Sequence, residues 1–100
     1  FFTVLLDARS RHIRTEQVSI GSLDTTLAHP REVFDAAVHD HAPAIVVAHN
    51  HPSGDPTPSE EDIRLTKRLI EAGKVLGIKL VDHIIIAGDR FYSFRNHGIL

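Results

Sequence analysis

Two histidines, His49 and His51, stand two residues apart at the end of an apolar run, Ala44-Ile45-Val46-Val47-Ala48. On an extended backbone that spacing sends both side chains from one face. Neutral imidazole binds divalent metals, and two imidazoles leaving one face can share an ion about 2.0–2.1 Å from each nitrogen. A carboxylate, Asp62, follows a loop whose Pro52, Gly54, Pro56 and Pro58 suit a fixed reversal. If that loop folds back, Asp62 completes a set of three ligands. Three protein ligands with a fourth position left to water is the open arrangement of catalytic zinc, in which the water's pKa falls to about 7. One zinc ion per chain is the expectation.

The same residues admit a plainer reading. Ser59-x-x-Asp62 has the spacing of a capping box, in which Ser59 caps a helix and Asp62 at its third position returns a bond. On that spacing alone capping is the commoner meaning. The two histidines, the loop and Ser-x-x-Asp taken together shift the balance to a metal. Both roles can coexist, because a capped helix start fixes where Asp62 points.

The elements that must position these groups can be read in order. Phe1 to Leu6 is a continuous apolar or β-branched run, expected of a strand buried on both faces. Residues 7–11 make a turn. A second strand alternates from His12 through Ile13, Thr15, Val18 and Ile20 to Gly21, with a slip between Thr15 and Val18 that fits a bulge. Residues 22–28 read as loop or short strand. His29-Pro30-Arg31-Glu32 starts a helix with Pro30 at its first position, Val33, Phe34, Ala37 and Val38 form one apolar face, and Pro43 stops it. Ala44–Ala48 is a central strand. A second helix follows Pro58-Ser59, with Ile63, Thr66, Leu69, Ile70, Gly73 and Leu76 along one face and Gly77 as its C-terminal signal. Leu80–Ala87 is a strand too apolar at Ile84-Ile85-Ile86 to be an edge. Gly88-Asp89 turns it into a last strand, Phe91–Phe94. The order β-β-α-β-α-β-β predicts a single α/β domain over residues 1–100, a mixed sheet flanked by helices.

Composition bounds the function. One hundred residues make one domain, and 42% hydrophobic with 24% charged residues is ordinary for a globular chain. There is no cysteine, so a metal would be held by histidine and carboxylate. That absence fits a cytoplasmic protein. No apolar run approaches the roughly 20 residues that span a bilayer, which argues against a membrane role. Eleven Lys and Arg against thirteen Asp and Glu, a net charge of −2, do not make a nucleic-acid surface. The chain opens at Phe1, in the middle of strand-like sequence, and reads as a fragment of a longer protein.

Other polar residues have weaker claims. Asp82-His83 reads as a hydrogen-bonding pair at a strand start, the alternative being that one of them orients a ligand imidazole. Ser53 and Asp55 either bind substrate or satisfy turn amides. Glu32 at a helix start favours the dipole and is read as structural. His12, His29, His39, His41 and His97 show no partner pattern and are expected to be exposed.

The stretch His-x-His, seven residues, Ser-x-x-Asp resembles the metal motif of the JAMM (MPN-domain) metalloproteases. More narrowly, HNHPSGDPTPSEED followed by Thr66, Leu69, Leu76-Gly77-Ile78 and Asp82-His83-Ile84-Ile85-Ile86 resembles the RadC family, as do His29-Pro30-Arg31-Glu32-Val33-Phe34 and Tyr92-Ser93-Phe94. The resemblance spans nearly the whole chain. It implies a layered MPN fold of the cytidine-deaminase-like kind, in a C-terminal domain whose full-length relatives carry an N-terminal region with a helix-hairpin-helix. It further implies that His49, His51 and Asp62 are zinc ligands and that Ser59 stabilises an oxyanion. The general base would be a glutamate on the opening strand, and the family pattern puts it just before Phe1. Glu16 on the second strand is the fallback within the chain. On that reading these 100 residues bind zinc with little or no catalytic activity. Asn50 stands where the JAMM deubiquitinases usually have serine, which bears on substrate preference rather than on ligation.

The resemblance favours a zinc hydrolase of peptide or isopeptide bonds acting on a protein or peptide. A metal-dependent nuclease is the weaker alternative, because nucleases of the His-Asn-His kind spread those residues over a ββα unit. A non-catalytic interaction domain is the other, although scaffolds of this fold usually lose a ligand and this chain keeps three. A dimer through strand edges at Phe1–Leu6 or Phe91–Phe94 is also open.

Overall fold

The computed structural model describes residues 1–18 and 29–100. The elements are β1 (Phe2–Leu6), β2 (His12–Gln17), α1 (Pro30–His39), β3 (Ala44–Asn50), α2 (Glu60–Leu76), β4 (Lys79–Ala87) and β5 (Arg90–Ser93). They form one five-stranded sheet in the order β2-β1-β3-β4-β5. All neighbours are antiparallel except β3 and β4, which are parallel and joined through α2, as a parallel pair requires. This is the expected α/β class and element order. The expectations for residues 19–28, including the second strand's end at Gly21, lie outside the described residues.

Both helices pack on one sheet face. Thr3, Leu5, Ile45 and Val47 point to that side and are fully buried with Val33 and Phe34 of α1 and Leu65 and Leu69 of α2. Thr3 keeps its hydroxyl satisfied there by donating to the Val33 carbonyl at 3.2 Å. The opposite face is only partly covered: Val4, Val46 and Ile84 are half-buried, and Phe2 is 40% and Ile86 41% exposed. β1 is therefore buried on one face rather than two.

Three further expectations are corrected. The irregularity in the first hairpin is at Ile13, since Leu5 pairs with Arg14 and Leu6 with His12, and not between Thr15 and Val18. The helix α1 ends at His39, before Pro43, because Asp40 leaves the helical region and His41 takes a positive φ of 57°. β1 cannot offer an edge, being paired on both sides; among the described residues the sheet ends at β2 and β5.

α2 carries the termini anticipated for it. Ser59 caps it with both bonds of the capping box, and Gly77, at φ 73°, closes it in the left-handed region. The Ile78 amide then returns to the Gly73 carbonyl at 2.9 Å, so the chain reverses tightly into β4.

Candidate metal centre

In parallel α/β units ligands sit outside the carboxyl ends of the strands, where the chain turns into a helix. β3 ends there at Asn50, two residues longer than anticipated, so His49 is still on the strand. His51 continues the extended path, its amide donating to the Ile86 carbonyl of β4 at 2.9 Å. The loop then reverses. The Gly54 amide returns to the His51 carbonyl at 3.2 Å, and Gly54 takes φ 83°, a conformation natural to glycine. Asp55 Oδ1 accepts from the Thr57 amide at 3.0 Å and hydroxyl at 2.7 Å, and Arg90 Nη2 donates to the Gly54 carbonyl at 2.6 Å. Asp55 thus serves the turn.

The reversal brings Asp62 back against both histidines. His49 Nε2 lies 3.3 Å from Asp62 Oδ1, and His51 Nε2 lies 3.1 Å from Asp62 Oδ2. One ligand atom from each of the three residues falls within 4.8 Å of the others. Asp62 is 3% exposed. Burial works to raise its pKa, yet the amide and hydroxyl of Ser59, with His49 and His51, hold it below the ordinary carboxylate value. Burial pushes His49 down, against the pull of Asp62.

The donor set fits a divalent cation. His51 Nδ1 is 3.1 Å from the Asp55 carbonyl, which can only accept, so that nitrogen carries a proton, and in the neutral ring Nε2 is then a lone pair turned toward Asp62. A carboxylate and an imidazole lone pair facing each other repel, and a cation between them relieves that. Among the described residues no lysine or arginine pairs with Asp62. An ion held by two imidazoles and one carboxylate answers that arrangement, with nitrogen and oxygen donors of the kind zinc accepts.

The surroundings hold groups that sequence reading ranked low or passed over. His83 is fully buried, with Nε2 2.9 Å from His49 Nδ1 and Nδ1 2.7 Å from Thr66 Oγ1. It is stacked on Phe94, with ring centroids 4.7 Å apart. Burial, reinforced by His49, pushes its pKa down to about 3, so it is neutral near pH 7. The Asp82-His83 pair therefore splits. His83 reaches the site, while Asp82 accepts from the amides of His83 and Arg95 and the hydroxyl of Ser93. Thr66 was legible only as one more residue on the apolar face of α2. Its position four residues after Asp62 was the available signal, since that spacing shares a helix face. The Phe1 ring stacks on His49 at 5.6 Å.

Glu16 is not brought to the site; its carboxylate pairs with Arg14 on the same strand. Glu32 lies in the first turn of α1, as read. Of the outlying histidines, all exposed, four do find partners. His29 caps α1 by accepting from the Arg31 amide, and His97 Nδ1 reaches the Ser93 carbonyl at 2.9 Å while stacking on Tyr92. His12 meets Thr15, and His39 meets Asp40. No helix among the described residues is long and apolar enough to cross a membrane.

A mixed five-stranded sheet with two helices, and a His-x-His strand end folded against Ser-x-x-Asp at a helix start, define an α/β domain of the JAB (MPN) class with a candidate metal site. The chain belongs to the RadC-like JAB domain family, whose pattern it matches over residues 1–99. It is similar to a UPF0758 protein of Geotalea uraniireducens, at 54% identity over the whole chain and 44% of that relative. UPF0758 protein TTE0897 of Caldanaerobacter subterraneus is 53% identical over 98% of the chain and 42% of its own length. A UPF0758 protein of Methanosarcina mazei is 47% identical over the whole chain and 44% of the relative. The chain thus spans less than half the length of these curated relatives.

Proposed function

We propose that the domain is a zinc-dependent hydrolase of peptide or isopeptide bonds, acting on a protein or peptide in the cytoplasm. The observation that carries this reading is the convergence of His49 Nε2, His51 Nε2 and both Asp62 oxygens on one point. A bound zinc supplies Lewis acidity toward a scissile carbonyl and toward water. His49, His51 and Asp62 would hold it. Ser59 Oγ accepts from the Asp62 amide at 3.1 Å, and its hydroxyl hydrogen, which the Asp62 carboxylate would release on holding a metal, would donate to a carbonyl oxygen as negative charge builds there. The base is a glutamate at the position the family pattern puts just before Phe1. The Phe1 ring lies on His49, so the chain just ahead of β1 runs beside the three residues.

The test uses the full-length protein, purified without chelators. Metal analysis should find about one zinc per chain, and cleavage of peptide or isopeptide substrates should be lost in His51→Ala. No bound metal would overturn the reading. So would DNA cleavage that depends on His51 while peptide and isopeptide substrates stay intact. Function in the cell that survives Asp62→Ala would mark a scaffold instead.

A further inference from the structure

We infer that Thr66 and His83 form a one-way hydrogen-bond chain that fixes the proton of His49 on Nδ1, so that its Nε2 faces the metal centre as a lone pair. The inference rests on the metal-centre reading for its purpose, though not for its geometry.

The order of donors follows from one end of the chain. Thr66 Oγ1 lies 2.8 Å from the Asp62 backbone carbonyl, a group that only accepts, so the hydroxyl hydrogen is committed there. The same Oγ1 is 2.7 Å from His83 Nδ1 and must accept from it. A neutral imidazole has one N–H, so His83 Nε2 is left as an acceptor. At 2.9 Å it accepts from His49 Nδ1. His49 then carries its proton on Nδ1, and its Nε2 points at Asp62 Oδ1 without a hydrogen. The reverse order would turn the Thr66 hydroxyl toward His83 and leave two oxygen lone pairs facing each other at 2.8 Å in a buried site. The His83 ring cannot easily turn away, being fully buried and stacked on Phe94.

The arrangement matches that of His51, whose Nδ1 proton is held by the Asp55 carbonyl. Both imidazoles thus have their protons fixed on the far nitrogen by chains ending at a backbone carbonyl. His83 and Thr66 are positioning residues that orient a metal ligand from behind. Asp62 sits at both ends of the longer chain, through its carbonyl at Thr66 and its carboxylate at His49.

Long-range proton–nitrogen NMR on the metal-free protein tests this directly. At about pH 8, above the ordinary histidine range, both His49 and His83 should show the proton on Nδ1. This measurement needs no variant. Thr66→Val removes the acceptor at nearly constant volume. His83 should then move its proton to Nε2, and His49 should follow. Zinc affinity, read by competition with a chromophoric chelator, should fall about 10- to 100-fold, and Thr66→Ser should restore both readouts. A parent His49 protonated on Nε2 would overturn the inference, as would a Thr66→Val protein in which the His49 proton stays on Nδ1. A protein with the Nδ1 pattern but no zinc binding would overturn the metal reading while supporting this proton order.

Discussion

Asp62 and Ser59 bond each other twice: the Ser59 amide donates to Asp62 Oδ2 at 2.9 Å, and the Asp62 amide donates to Ser59 Oγ at 3.1 Å. The helix cap and the candidate metal site therefore share one carboxylate, and substitutions should separate the two roles. Ser59→Ala removes one bond of the box and should cost about 0.5–2 kcal/mol of stability, with the ligands intact. Asp62→Asn keeps an oxygen for the Ser59 amide and relieves the crowding of acceptors. Its metal-free stability should be unchanged or higher, while metal affinity falls by more than about tenfold. Chemical denaturation beside metal titration checks both; an Asp62→Asn protein that binds zinc like the parent would refute the ligand assignment.

The buried cluster around Leu5, Phe34, Ile45 and Leu69 is an apolar core closed by side-chain packing alone, so the fold should not depend on the ion. The metal-free chain is expected to fold and to gain stability by mass action. With free zinc at about a hundred times its Kd the gain is about 2.7 kcal/mol. Excess chelator should reverse it, and His51→Ala should abolish it. Superimposable melting curves with and without zinc would count against the site.

The cluster of His49, His51 and Asp62 was legible in the sequence because its geometry is local: a strand end, a fixed reversal and a helix cap place all three within one stretch. His83 was harder to see, and a bulge explains why. Ile45 pairs with Leu80 and Val46 with Asp82, so Val81 is skipped. Counting by twos from Leu80 puts Asp82 on the helix side; the extra residue puts His83 there instead, with Ile85 and Ala87. The sheet order was equally hidden. Nothing in Phe1–Leu6 itself says that β3 pairs beside it, and that pairing is what removes β1 as an edge.

Gly73 offers a test of sign. In an exposed helix interior alanine is favoured over glycine by about 1 kcal/mol. Here a Cβ would stand 2.3 Å from the Ile78 carbonyl oxygen, on backbone that turns directly into β4. Gly73→Ala should therefore destabilise the domain, lowering its thermal midpoint by several degrees. A midpoint at or above that of the parent would show that the α2–β4 turn yields more readily than this contact implies.

The pairing of Arg14 with Asp40 joins the edge strand β2 to the end of α1, and it predicts a pH window. The Arg14 bond, followed by that of His39, lowers the Asp40 pKa to about 2, whereas an unfolded aspartate titrates near 3.9. As the pH falls, the unfolded chain takes up this proton first, so the pairing stabilises fully above about pH 4 and is lost between about pH 4 and pH 2. Asp40→Asn should melt below the parent at about pH 7, and the gap should close at about pH 2. A gap of equal size at both pH values would mean that Asp40 acts through side-chain hydrogen bonds that asparagine does not reproduce, and not through its charge.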